Sequence, residues 1–210
     1  ACRRLLLLLP ALVLAAGLSA RSLVKADVQL ANNAVLAMYQ DEDANMWIGT
    51  YDGLHLYNGK NTFVFRMELD NEFSLCSNIV LEIAPAEKGY LWVATSLGIN
   101  KFSLRERRVV ESYMQYVDVE NIASDSEGNT VLFSGEDFIT CYRPGRAFFE
   151  DVYIPGVRAA EIVAVWSEAP RVFCTLGRDG ELVRYRLNDG EGKSLVRVSG
   201  RQLSARPVRK

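Results

Sequence analysis

The feature that most constrains this chain is a pattern that returns after 45 residues without a gap. Residues 33–57 read NAVLAMYQDEDANMWIGTYDGLHLY, and residues 78–102 read NIVLEIAPAEKGYLWVATSLGINKF. Asn33 falls on Asn78, Trp47 on Trp92, Thr50 on Thr95, Gly53 on Gly98 and Tyr57 on Phe102. A unit of this length cannot bury its apolar face alone and must stack on its neighbours. A weaker third copy runs over 121–142, with Val131 in the tryptophan place and Asp125, Gly128 and Asn129 in the turn that 41–45 makes in the first. A fourth is traced over 160–187, where Val172, Cys174 and Thr175 form a second strand and Gly180 with Glu181 opens a third.

Each copy divides into short strands with turn residues between them. In the first, residues 34–39 run apolar, 41–45 form an Asp- and Asn-rich turn, and 46–50 form a second strand. Asp52-Gly53 and Asn58-Gly59 then set hairpin turns before strands at 54–57 and 62–66, glycine supplying the positive φ such turns need. Four antiparallel strands in 39 to 45 residues make one propeller blade. The predicted fold is therefore all-β: about four four-stranded blades, over about 30–70, 75–116, 117–155 and 158–199, within a partial propeller at 27–200. Propellers usually have about four to eight blades, so these blades are expected to be part of a larger propeller. Trp47 and Trp92 are predicted to fill the gap to the next blade, with a sugar-stacking platform as the alternative. Thr50 and Thr95 are expected to satisfy backbone groups at strand ends. With Gly53 and Gly98, these four residues form the structural set of the repeat.

The N-terminus departs from this pattern. Arg3 and Arg4 precede a 14-residue apolar run at 5–18, followed by small and polar residues. That is the form of a secretory signal, and it is shorter than the ~20 residues a membrane helix needs. A signal segment over 1–26 is expected, with cleavage after Ala20 or Ala26. Without it the balance is 20 basic to 26 acidic residues, which gives no general attraction to nucleic acid. The segment 201–210, with Arg201, Arg206, Arg209 and Lys210, is read as a basic tail. Cys76, Cys141 and Cys174 remain beyond the signal, and His55 is the single histidine. None of these has zinc-ligand spacing, so no metal and no cofactor are expected.

The string DEDANMWIGTYDGLHLYNGKNTFVF, followed by LWVATSLGINKF, resembles the two-component regulator propeller repeat. Asn45-Met46 replaces the usual approach to the tryptophan, Ala94 replaces a glycine, and the later copies lack the tryptophan. The resemblance covers about 30–145. It implies the N-terminal periplasmic sensor region of a hybrid two-component sensor histidine kinase of Bacteroidetes. Such a sensor carries two propellers, a β-sandwich, a membrane helix and a cytoplasmic kinase, and responds to carbohydrate breakdown products. Kinase activity and membrane attachment would reside in further sequence, and this segment would have no catalysis of its own. A homodimer through the full ectodomain is a further expectation.

In a blade whose innermost strand comes first, the loop to the next blade and the loop between second and third strands share one face. Rigid strands present such loops to ligands. That face would carry Asn32, Asn33, Tyr51, Asp52, Asn78, Ser96, Glu136 and Asp179. The predicted contacts to an oligosaccharide or other small ligand are Asn33, Tyr51, Asp52, Asn78 and Ser96. Tyr51 and Asp52 are the strongest pair, an aromatic face for sugar C–H groups beside a carboxylate for hydroxyls. Two other classes stay open. One is a secreted propeller enzyme acting on glycans, which would usually need two positioned carboxylates. The other is a scaffold that binds a protein.

Overall fold

The computed structural model describes residues 28–113, 119–135, 138–146, 148–152, 154–188 and 195–203. The expected signal segment, Glu136, Arg206, Arg209 and Lys210 lie outside them.

The described residues are all-β, and sixteen strands among them form four antiparallel sheets of four. The first blade is β1 (Val35–Gln40), β2 (Met46–Thr50), β3 (Gly53–Tyr57) and β4 (Thr62–Phe65). The second is β5 (Val80–Pro85), β6 (Tyr90–Thr95), β7 (Gly98–Ser103) and β8 (Arg108–Tyr113). The third is β9 (Val119–Ser124), β10 (Thr130–Ser134), β11 (Phe138–Tyr142) and the short β12 (Glu150–Asp151). The fourth is β13 (Ile162–Ala169), β14 (Val172–Gly177), β15 (Glu181–Leu187) and β16 (Leu195–Gln202). Strands pair in chain order within each blade. The innermost strands lie side by side, β1 by β5, β5 by β9 and β9 by β13.

Alternation along each strand sends one set of side chains to each neighbouring blade. Trp47, Leu54 and Leu56 of the first blade bury against Val80, Ile83, Leu91, Val93 and Phe102 of the second. The other face of the second blade, with Trp92, Ala94 and Ile99, meets Val119, Ile122, Leu132 and Tyr142 of the third. Val131, Phe133 and Cys141 then meet Phe173, Val183 and Tyr185 of the fourth. The core is thus a row of seams between blades. Blades two and three are covered on both faces, so β7 and β10 are buried along their whole length. Met38 of β1 is 67% exposed because it points away from the second blade.

All four innermost strands carry a one-residue bulge near their start, at Leu36, Leu81, Glu120 and Val163. A bulge bends its strand and increases local twist. The bulge recurs in the fourth blade, where sequence likeness is faint. Gly49 has a separate reason. A Cβ there would sit 2.6 Å from Val80 Cγ1 of the next blade.

β16 runs through Arg201 and Gln202, past the 199 boundary expected for the fourth blade and into the predicted basic tail. Arg201 pairs with Leu182 and Gln202 with Glu181 across the ladder, and Gln202 Nε2 donates to the Asp179 carbonyl at 2.7 Å. These ladder contacts hold both residues in the sheet. Cys76, Cys141 and Cys174 are free thiols.

His55 is fully buried, and its Nε2 accepts the Ala31 N–H at 3.0 Å, fastening the segment before β1 onto the first blade. Burial pushes the imidazole below its ordinary range, against the pull of the Ile48 and Gly53 carbonyls. A base depressed in the folded state is protonated first in the unfolded chain, near pH ~6.5. Stability tied to His55 is therefore present above that value and lost as pH falls toward the folded pKa. The unfolding free energy of the native chain is expected to fall more between pH 7 and 5 than that of His55→Gln. Parallel curves for the two proteins would show that the histidine carries no such linkage.

Candidate loop face and its relatives

The turn between β2 and β3 is built by the Thr50 side chain. Thr50 Oγ1 donates to the Gly53 carbonyl at 3.2 Å and accepts the Asp52 N–H at 3.0 Å. Gly53 adopts φ 107°, and a Cβ there would meet the Phe65 carbonyl at 2.5 Å. The second blade repeats the arrangement, with Thr95 Oγ1 donating to the Gly98 carbonyl at 2.9 Å. The chain between blades fits between these turns. Gly53 N–H donates to the Asn78 carbonyl at 2.7 Å, and Ser96 N–H donates to the neighbouring Ile79 carbonyl at 3.0 Å. Arg178 N–H donates to Glu161 in the fourth blade, at 2.7 Å. One face therefore gathers the turns after β2, β6 and β14 with the connections 66–79 and 154–161.

On that face Tyr51 is exposed and Asp52 is held by Arg66. Arg66 Nε and Nη2 each donate to the Asp52 carboxylate at 2.9 Å. The Arg66 guanidinium holds Asp52 below the usual carboxylate range. Asn78 Oδ1 accepts the Met67 N–H at 2.7 Å, and Ser96 Oγ shares a 2.8 Å hydrogen bond with Ser77. Asp52, Asn78 and Ser96 are thus gathered along one connection, each engaged by the protein itself. Asn33 lies before β1, where its carbonyl accepts the Val35 N–H at 3.1 Å.

Beside them the connection 66–79 forms a groove of about 670 Å³ lined by Glu68, Asp70, Asn71, Glu72, Phe73 and Ser112. Sequence reasoning missed this groove because the connection has no strand periodicity. Its acidic run, with Asn71 between Asp70 and Glu72, was the available signal. Asn71 Nδ2 donates to Glu68 Oε2 at 2.6 Å, and Ser74 Oγ accepts the Glu68 N–H at 3.0 Å. The lining offers acceptors for hydroxyl groups and the Phe73 ring, half-exposed under the Arg108 guanidinium. Among the described residues, no group of three or more His, Cys, Asp or Glu side chains could hold a metal ion.

The turn between β1 and β2 repeats more faithfully than its composition suggests. Asp41 Oδ1 accepts the Asp43 and Asn45 N–H groups, and Oδ2 accepts Trp47 Nε1 at 2.8 Å. Burial alone would raise the Asp41 carboxyl, but the bonds from Trp47, Asn45 and Asp43 bring it below its ordinary value. Asp125 makes the same turn in the third blade, bonding the Glu127 and Asn129 N–H groups. Lacking a tryptophan to bind, its Oδ2 accepts the Arg171 N–H of the fourth blade at 2.7 Å.

The family model of the two component regulator propeller matches residues 29–52, which span β1, β2 and the Asp41 turn. The first blade carries a two component regulator propeller repeat. Solved structures share the fold. The extracellular domain of the hybrid two component system BT3049 from B. thetaiotaomicron superposes with a TM-score of 0.59 at 20% identity, over 81% of this chain and 25% of that one. The extracellular domain of the one component system BT4673 from the same organism gives 0.60 at 16% identity, over 83% and 25%. PorZ, a surface component of the type-IX secretion system of Porphyromonas gingivalis, gives 0.57 at 14% identity, over 79% and 22%. The chain spans about a quarter of the length of these proteins. No curated protein matches it by sequence. No helix among the described residues is long and apolar enough to cross a membrane.

Proposed function

We propose that the chain is the extracytoplasmic, ligand-sensing propeller segment of a two-component receptor, and that it responds to carbohydrate breakdown products without catalysis of its own. The observation that carries this reading is the repeat at 29–52, set in blades that share their fold with the extracellular domains of BT3049 and BT4673. The loop face supports a neutral, hydroxyl-rich ligand. It offers the exposed Tyr51 ring and the acidic groove beside Phe73. Asp52, ionised and tied to Arg66, is suited to accept hydrogen bonds from ligand hydroxyl groups. In this reading the protein is periplasmic after export, a homodimer forms through the full ectodomain, and the kinase lies elsewhere in the receptor. Ligand binding would act by favouring one of two arrangements of that ectodomain.

Calorimetric titration of the full ectodomain with a panel of plant and host oligosaccharides tests this. One glycan class is expected to bind, and Tyr51→Ala is expected to weaken it about tenfold, or ~1.4 kcal/mol. Silence across the panel by a folded protein would overturn the carbohydrate reading. Turnover of any glycan would overturn the non-catalytic one.

A further inference from the structure

Two exposed surfaces of the chain pair apolar side chains with opposite charge. The first is the start of the connection 66–79. Met67, Leu69 and Phe73 are exposed there, Leu69 to 87%, and Glu68, Asp70 and Glu72 stand between them. The arginines beside this stretch are engaged elsewhere. Arg66 is held by Asp52, and Arg108, 4.1 Å over the Phe73 ring, donates to Glu106 at 2.7 Å. Among the described residues, no lysine or arginine pairs with any of the three carboxylates.

The second surface is β16. It is eight residues long and exposed at seven of them, whereas the outer strands β4, β8 and β12 have four, six and two residues. It therefore presents the longest open run on the outside of the blades. Val196, Val198 and Leu203 are exposed on and beside it, Val198 to 52%, and Arg197 and Arg201 stand between them. Arg197 pairs with Glu181. Arg201, and Arg186 facing Val196 across the ladder, have no carboxylate partner among the described residues.

One surface is apolar and acidic, the other apolar and basic. Apolar contact drives association, and charge decides which surfaces meet. Either surface set against its own kind would oppose like charges. Set against each other, they match. One molecule cannot bring them together, because the connection joins the first and second blades, β16 closes the fourth, and the third blade stands between.

We propose that copies of this chain associate head to tail, the acidic surface at 67–73 of one copy docking on β16 of the next. The contact joins unlike surfaces, so it is additional to the homodimer of the full ectodomain. It is independent of the carbohydrate reading, because no glycan takes part.

Sedimentation velocity of the full chain, without glycan and over a range of concentrations, tests this. The mass is expected to rise with concentration, and less so in high salt, which screens exposed charges. Two variants separate the surfaces: Leu69→Lys with Glu72→Lys, and Val198→Glu with Arg201→Glu. All four positions are exposed, so circular dichroism is expected to show native folding in both. Each variant alone is expected to lose self-association by about tenfold or more. Mixed together they are expected to form a one-to-one complex, because each keeps the surface that the other lacks. Three results would overturn the proposal: a native chain monomeric at every concentration, either variant associating as strongly as the native chain, or a mixture of folded variants that stays monomeric.

Discussion

Trp92→Ala is expected to lower the stability of the full chain by about 3–5 kcal/mol, the range for removing a large aromatic from a packed interior. Trp92 has no exposed surface, and its ring meets Tyr142 at 5.1 Å, Phe149 at 5.2 Å and Tyr113 at 6.2 Å. Its Nε1 donates to Thr130 Oγ1 of the third blade at 2.9 Å. Thr130 keeps partners in Ser124 and the Gly128 carbonyl, so the cavity between blades carries most of the loss. Trp47 differs. It packs on Phe102 of the second blade, but its indole N–H stays within its own blade, on Asp41. Urea unfolding followed by far-UV circular dichroism checks the prediction, and Trp92→Phe should recover more than half of the loss. If Trp92→Ala kept the midpoint and instead abolished glycan binding, the ring would be a sugar platform and the packing account would be wrong.

The second large effect is expected at Lys101. Its side chain is 6% exposed, an unusual depth for an ammonium group. It pairs with Glu87, lies 3.6 Å from Glu111 and donates to Tyr142 Oη at 3.1 Å. The rings of Tyr90, Trp92 and Tyr142 stand 5.0, 5.8 and 5.1 Å from Nζ. Burial works against the charge, and Glu87, Tyr142 and Glu111 outweigh it, so the pKa is raised. A raised lysine contributes stability fully below its unfolded value near ~10.4 and loses it as pH climbs through the folded one. The contribution is therefore constant across neutral pH.

Lys101→Met keeps the length and removes the charge. Breaking a buried pair from one side costs roughly 3–5 kcal/mol, because the remaining charge is left without compensation. Glu87 is a quarter exposed and can reach water, so the lower end of that range is expected. Replacing both partners by apolar residues is often neutral, so adding Glu87→Leu should restore most of the loss. Equal stability for Lys101→Met and the native chain would show that the buried Lys101–Glu87 pair contributes nothing to folding.

The residues that carry the repeat were legible in sequence because each does a local job. Thr50 and Thr95 close turns onto Gly53 and Gly98, and Asp41 with Asn45 closes the first hairpin. Local jobs need fixed spacing, and fixed spacing can be read. The third and fourth blades were harder to read because their seams need only apolar volume. Val131 occupies the tryptophan place in the third blade, and many residues can fill it.

The candidate face was legible only as a set of loops. The sequence placed Asp52, Asn78 and Ser96 together, which follows from chain order in a blade. It did not show that Arg66, the Met67 N–H and Ser77 engage them, because those partners come from a connection with no periodicity. By itself the sequence determined the blade, its four strands and the 45-residue interval, since turn chemistry and alternation act over a few neighbouring residues. Only the tertiary structure decided how the blades meet: the Lys101 cluster, the bulge in every innermost strand and the bond from the Arg171 N–H to Asp125. Each of these joins residues far apart in the chain or depends on a backbone shift that no local pattern encodes, so it exists only once the blades are stacked.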